Sequence, residues 1–332
     1  MRYFGSKATS IDAIYNLISQ RCPTGSICDP FGGIGTVGSY FKSRGYEVWT
    51  GDLLTFAHYF QIAKIKLNRV PRFNKLNDEL GIKRFSELID YLNSLRPKSG
   101  WVTKEYSDKR SFFTKDNAMK IDSCRIEIKK WSELRLVSKN EQAYLLASLI
   151  NSMDRVANTA GTYYAYLKSW NRKALKEFQF SPIQCNSGRS NALCFQEDAN
   201  DLVTRREFDI VYLDPPYNER SYAHYYHLPE SIATQSTPRV HGKSGIPVAS
   251  SNRSRFNSKS DAISTFVELI NNISCRLIFF HYADNGLLDK QSIRSALSAH
   301  GKLEECVIDS LGYKTSDIKG DVKHHIYMVI NE

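Results

Sequence analysis

The 332-residue chain contains no run approaching the roughly 18 consecutive apolar residues that a membrane-spanning helix needs. Readings that depend on such a helix therefore fall away. There is no apolar leader either: Met1 to Lys7 is followed by a stretch interrupted by Asp12 and Asn16, so the expected location is the cytoplasm and no membrane partner is expected. The seven cysteines include no C-x-x-C pair, which indicates neither a zinc site nor a disulfide framework and leaves reduced thiols as the expectation. No internal repeat is present.

Acidic charge is also short, with 35 Asp and Glu against 45 Lys and Arg, for a net charge of +10. The excess is localised. By segment it is +1 over residues 1–63, +8 over 64–141, +2 over 142–200 and −1 over 201–332. A basic block confined to the middle of the chain suits a footprint for a polyanion better than charge spread for solubility, although a solvated lysine-rich helical face has the same composition. With 42% hydrophobic residues and this length, the chain can bury a large core. One domain with an elaborate insertion, or two unequal domains, is expected.

The first sixty residues read as a β-α-β unit after an initial helix. Ile11, Ile14, Leu17 and Ile18 have helical spacing, Ser26-Ile27-Cys28 is a short buried strand, and Tyr46 to Asp52 forms a second strand that ends on a carboxylate. Between them lies Asp29-Pro30-Phe31-Gly32-Gly33-Ile34-Gly35-Thr36-Val37-Gly38. Strands return at Leu193 to Asp198 and Phe208 to Asp214, then at Arg276 to Phe280, Leu303 to Asp309 and His325 to Ile330. A helix is expected from Ala262 to Ile273. Residues 64–190 break the alternation with polar, basic, helical pieces such as Phe85 to Leu95 and Glu141 to Met153. The fold class expected is therefore α/β, a doubly wound and mostly parallel sheet formed by 1–63 and 191–332, with a mainly helical subdomain inserted at 64–190. Residues 234–260, rich in Ser, Pro, Gly and Arg, read as a long mobile loop.

Gly33 to Gly38 matches G-x-G-x-x-G after a strand and before a helix, where backbone can approach a bound nucleotide closely. That turn, with Asp52 placed for ribose hydroxyls, suits a dinucleotide or S-adenosylmethionine equally. Asp214-Pro215-Pro216-Tyr217 discriminates. Two prolines cannot donate to a strand ladder, so the strand stops there and leaves a carboxylate, carbonyls and an aromatic ring at its carboxyl end. This set suits methyl transfer to an exocyclic base amine. The Asp214 carboxylate and the Pro215 carbonyl each accept an N–H and restore lone-pair density to a poor nucleophile, while Tyr217 stacks on the base. Such an amine is hidden in a duplex, so the base must be rotated out. The aromatic residues Tyr222, Tyr225 and Tyr226 lie close by in sequence, and His224 and His227 lack a neighbouring third ligand, so no metal is expected.

Arg2-Tyr3-Phe4-Gly5-Ser6-Lys7, Asp29 to Thr36 and Asp214-Pro215-Pro216-Tyr217, in that order, resemble the alpha class of DNA adenine-N6 methyltransferases, which includes the Dam enzymes and many restriction-modification methylases. The resemblance implies a Rossmann-like methyltransferase sheet, with target recognition between the cofactor and catalytic motifs. It implies S-adenosyl-L-methionine as cofactor, with contacts at Tyr3 and Lys7, at Asp29, Pro30, Phe31, Gly33 and Gly35, at Asp52 for the ribose, and at Asp214 near the methionine end. Asp198 resembles the acidic residue near the cofactor adenine, with Glu197 and Asp201 as alternatives. Double-stranded DNA is the implied partner and a separate cognate restriction endonuclease a further one, with the protein a monomer. Methylation of cytosine N4 shares the amine chemistry, but a Ser in place of Asp214 would favour it. RNA as substrate, a nucleic-acid-binding module without activity, and a dinucleotide oxidoreductase are further alternatives.

Overall fold

The computed structural model of the protein describes residues 1–188, 191–249, 253–309 and 323–331. The chain divides into two compact units, one of Ser6–Leu53, Asn186–Ser221 and Asn252–Glu332, the other of Met1–Gly5, Leu54–Cys185 and Tyr222–Ser251.

The first unit is built on seven strands, β1 (Ser26–Asp29), β2 (Glu47–Gly51), β3 (Ala192–Phe195), β4 (Phe208–Leu213), β5 (Cys275–Ala283), β6 (Lys302–Asp309) and β7 (Lys323–Ile330). Their spatial order is β3-β2-β1-β4-β5-β7-β6. The first five are parallel, and β7 enters antiparallel between β5 and β6. In β4 every residue but Asp209 is buried, the continuous apolar run of a strand covered on both faces. Val211 and Leu213 of β4 and Ile278 and Phe280 of β5 meet Phe266, Leu269 and Ile270 of the helix Ala262–Asn271 in one core. The opposite face carries Tyr212, stacked on Phe279 at 5.6 Å. Chain order reverses between β1 and β4, which makes their carboxyl ends the topological switch point where open α/β sheets bind ligands. The doubly wound, mostly parallel expectation holds.

The second unit is mainly helical. Its longest helices are Lys115–Glu133 and Lys139–Asp154, the latter opened by a Ser138/Glu141 capping box. Its boundaries differ from the expected insertion at 64–190, because it also holds the N-terminal five residues, 54–63 and 222–251. One side chain shows why. Glu230, in the helix His227–Ala233, accepts the backbone N–H groups of Thr55 at 3.0 Å and Phe56 at 2.9 Å, capping a helix 174 residues earlier in the chain. Two charge-assisted bonds to orphan helix donors each contribute about 1 kcal/mol or more. Glu230→Ala is accordingly expected to destabilise the protein by about 1–3 kcal/mol, measured by denaturant unfolding.

Nor is the segment from 234 a plain loop. Val240–His241 and Ile246–Pro247 pair as a short antiparallel hairpin. Its carbonyls are held from outside by Arg125 to Ser236 (2.6 Å), Trp101 to Pro238 (3.1 Å), Arg110 to Gly242 (2.9 Å) and Tyr106 to Gly245 (2.7 Å). These donors are over a hundred residues away, so composition alone reads as loop. Residues 250–252 lie outside the described residues. Among the described residues no helix is long and apolar enough to cross a membrane.

The division sharpens the charge asymmetry. The helical unit carries 27 Lys and Arg against 14 Asp and Glu, whereas the sheet unit carries 18 against 21. The net charges are thus +13 and −3.

Candidate active site

Three acidic side chains stand at the carboxyl ends of adjacent parallel strands: Asp29 ends β1, Asp52 follows β2 and Asp214 follows β4. The Gly-rich turn leaves β1 and opens the helix Thr36–Ser43. Gly33 and Gly35 adopt φ of +50° and +77°, which side chains with a Cβ rarely tolerate. Gly35 is the N-cap of that helix, so its conformation sets the helix start. The turn is tied to the carboxyl end of β2 by two hydrogen bonds. Gly32 N–H donates to the Gly51 carbonyl at 2.9 Å, and Gly33 N–H donates to Asp52 Oδ2 at 3.1 Å. Pro30 is buried, and Phe31 lies edge-on to Phe256 at 5.2 Å.

Asp214 forms an ion pair with Lys7, which is 6% exposed. Burial pushes the Asp214 carboxyl above its ordinary range, opposed by the charge and hydrogen bond of Lys7. Asp29 is more extreme. It is 1% exposed, and its Oδ1 has no hydrogen-bond partner. Burial first, and the Asp214 charge second, push it up to about 8. Two buried carboxylates facing one lysine are unfavourable together, so Asp29 holds a proton at neutral pH. A carboxyl raised in the folded state stabilises the protein most below its unfolded value near 4. That contribution is lost as pH rises towards about 8. Asp29→Asn, which mimics the protonated acid, is expected to flatten the fall in melting temperature over this window, as read by thermal scans at several pH values.

Pro215 and Pro216 end the β4 ladder, and Tyr217 is partly buried. Its ring meets Tyr282 edge-on at 6.2 Å and His324 at 6.4 Å, while its carbonyl accepts the Leu287 N–H at 3.0 Å. The following turn is tied by Asn257 Nδ2, which donates to the Asn218 carbonyl at 2.7 Å. Of the three acidic residues near the end of β3, Glu197 is engaged by both guanidinium arms of Arg205, and Asp201 is exposed. Asp198 caps the next helix through the Asn200 N–H at 3.0 Å.

The sheet unit therefore brings together Lys7, Asp29, Asp52 and Asp214. Tyr3 belongs to the helical unit, where it stacks on Tyr226 at 5.0 Å and meets Phe56 and Tyr222. His227 is buried and bonds the Tyr163 carbonyl at 2.9 Å. Sequence reading missed a second histidine pair, His281 and His324, whose rings are joined Nε2 to Nδ1 at 2.8 Å across β5 and β7. Nothing in their spacing marks them, since 43 residues separate the two.

A family model described as D12 class N6 adenine-specific DNA methyltransferase matches residues 3–294. Type II methyltransferase M.FokI of Planomicrobium okeanokoites is 34% identical over 95% of this chain, which spans about half, 49%, of that relative's length. Type II methyltransferase M.NlaIII of Neisseria lactamica is 33% identical over 92% of this chain and 90% of its own. Type II methyltransferase M.CviAII of Paramecium bursaria Chlorella virus 1 is 32% identical over 99% of this chain and 98% of its own.

Proposed function

The chain belongs to the D12 class of N6 adenine-specific DNA methyltransferases, and on that premise we propose that it methylates the exocyclic N6 of a rotated-out adenine in a specific double-stranded DNA sequence, as the modification enzyme of a restriction-modification system. The observation that carries this reading is the buried Lys7–Asp214 pair at the β1/β4 switch point, followed directly by Pro215-Pro216-Tyr217.

The methyl donor is S-adenosylmethionine, which supplies an electrophilic methyl group on a positively charged sulfur. The residues suit it: the unpartnered Asp29 Oδ1 offers an acceptor to a cationic group, the Gly33–Gly35 turn admits close backbone approach, and Asp52 presents a carboxylate for hydroxyls. On the substrate side, Asp214 and the Pro215 carbonyl accept the two N–H groups of the adenine amine. Its lone pair is then drawn out of the ring and aimed at the carbon it attacks. Lys7 opposes the burial that favours protonation of Asp214, and Tyr217 stacks on the base.

DNA binding falls to the helical unit, with its charge of +13. Tyr164 is 50% and Trp170 42% exposed beside exposed Lys168 and Arg172, whereas Tyr163 is core. The hairpin offers exposed Arg239, His241 and Lys243 on a braced support. Each phosphate contact contributes about −0.9 to the slope of log affinity against log salt. Single alanine substitutions at Lys168, Arg172 or Lys243 are each expected to reduce that slope by about 1, as read by fluorescence anisotropy across a salt series. The same reading makes the protein a cytoplasmic monomer, with a separate endonuclease cutting the unmethylated site.

Transfer of tritium from methyl-labelled S-adenosylmethionine to duplex DNA, followed by nucleoside analysis, tests the reaction. Label in N6-methyl-2′-deoxyadenosine is expected; label in N4-methyl-2′-deoxycytidine, in RNA alone or in neither would overturn it.

A further inference from the structure

The His281–His324 pair has no part in the chemistry so far. Val211 and Leu213 of β4 share a face with Ile278 and Phe280 of β5. Strand alternation therefore sends Asp214 and His281 to the other face, the one carrying the Tyr212–Phe279 stack. The register pairs Leu213 with Phe280, so Asp214 and His281 come next to each other as the chain leaves the ladder. His281 is 3% exposed, and its Nδ1 has no hydrogen-bond partner. Its other nitrogen meets His324 Nδ1, and His324 is only half-buried, its ring edge against Tyr217. The two joined rings thus lead from an open, buried nitrogen, one strand over from the end of β4, to the half-buried His324.

Methylation of an amine creates a need for such a path. The amine nitrogen forms a bond to the methyl carbon, and the carbon–sulfur bond breaks with its electron pair left on sulfur. The nitrogen then bears a positive charge and must lose one proton. We propose that this proton leaves through His281 and His324: Asp214 accepts it from the amine, His281 Nδ1 receives it, the Nε2–H of His281 passes its own proton to His324 Nδ1, and His324 releases one from Nε2 to water. This rests on the methyltransferase reading above. Both rings are positioning and relay groups acting through Asp214, and both are neutral beforehand. Burial lowers His281 well below its ordinary value and His324 to about 4, and the Lys7 charge acts in the same direction on each. Beside His324, Asp284 opposes this lowering and His325 adds to it. An imidazolium beside Lys7 is unstable, so the pair hands the proton on rather than storing it.

His281→Phe keeps the ring volume and removes both nitrogens. In single-turnover methyl transfer its rate is expected to fall about tenfold or more, within the range of acid–base contributions. Cofactor and DNA dissociation constants should be unchanged, and the solvent deuterium isotope effect should exceed that of the wild type. In His281→Ala, added imidazole should restore part of the rate. His324→Gln, at a half-buried site, repeats the test if the His281 variants do not fold. In the cofactor-free protein, ¹⁵N shifts at pH 7 should show His281 protonated on Nε2 and bare on Nδ1. A wild-type rate in His281→Phe, a loss insensitive to both D2O and imidazole, or the reverse tautomer would overturn the proposal. A wild-type protein that transfers no methyl group to DNA would instead sink the methyltransferase reading itself.

Discussion

Asp214→Asn is expected to lower single-turnover methyl transfer by about 10³-fold, comparable to loss of a preorganised electrostatic partner in other active sites, while circular dichroism and cofactor binding show a folded protein. The amide keeps the size of the carboxylate but not its charge. Its single carbonyl is a weaker acceptor for the amine N–H, and it cannot take up a proton. The substitution also leaves the Lys7 ammonium buried without its carboxylate, so some loss of stability accompanies it. Asp214→Ala removes the acceptor altogether and should be lower still. A rate within a few-fold of wild type in Asp214→Asn would mean that the acceptor is elsewhere.

Lys7→Met probes the same pair from the other side, and its signature is a shift in pH dependence. Burial raises the Asp214 carboxyl and Lys7 opposes the rise. Removal of Lys7 leaves burial unopposed and moves Asp214 further up. More of it is then protonated at neutral pH and unable to accept the amine N–H. The rate at pH 7 should fall, and part of that loss should return as pH rises, the acid limb of the pH–rate profile having moved upward. The effect on stability follows the same sign. A carboxyl raised by folding favours the native state most at low pH, so Lys7→Met should lose stability relative to wild type as pH rises. An unshifted acid limb would show that Lys7 serves the cofactor alone. Measured in the Asp214→Asn background, the Lys7→Met shift should vanish, because the group that titrates is gone.

The apolar strands Ile210 to Leu213 and Leu277 to Phe280 announce themselves as continuous runs, because a strand buried on both faces has no polar alternation to maintain. The glycines at 33 and 35 were legible because only that residue type accepts their backbone conformation freely. Asp-Pro-Pro-Tyr was legible because proline cannot continue a ladder. What escaped depended on partners remote in sequence. Glu230 is an ordinary helical glutamate until residue 55 is seen above it. The hairpin near 240 looks like loop until Trp101, Tyr106, Arg110 and Arg125 are found holding its carbonyls. Among Glu197, Asp198 and Asp201, only the structure shows that Arg205 engages the first and that the second caps a helix.

The sequence by itself thus determined the class of chemistry and the strands that hold it, since local hydrophobic pattern, glycine freedom and proline geometry are properties of a few adjacent residues. Tertiary structure decided which charges face one another: that Lys7 meets Asp214 across 207 positions, that Asp29 is left with a buried unpartnered oxygen, and that His281 lies one strand away with His324 behind it. Burial and proximity set the protonation of these groups, and neither is written in the spacing of a motif.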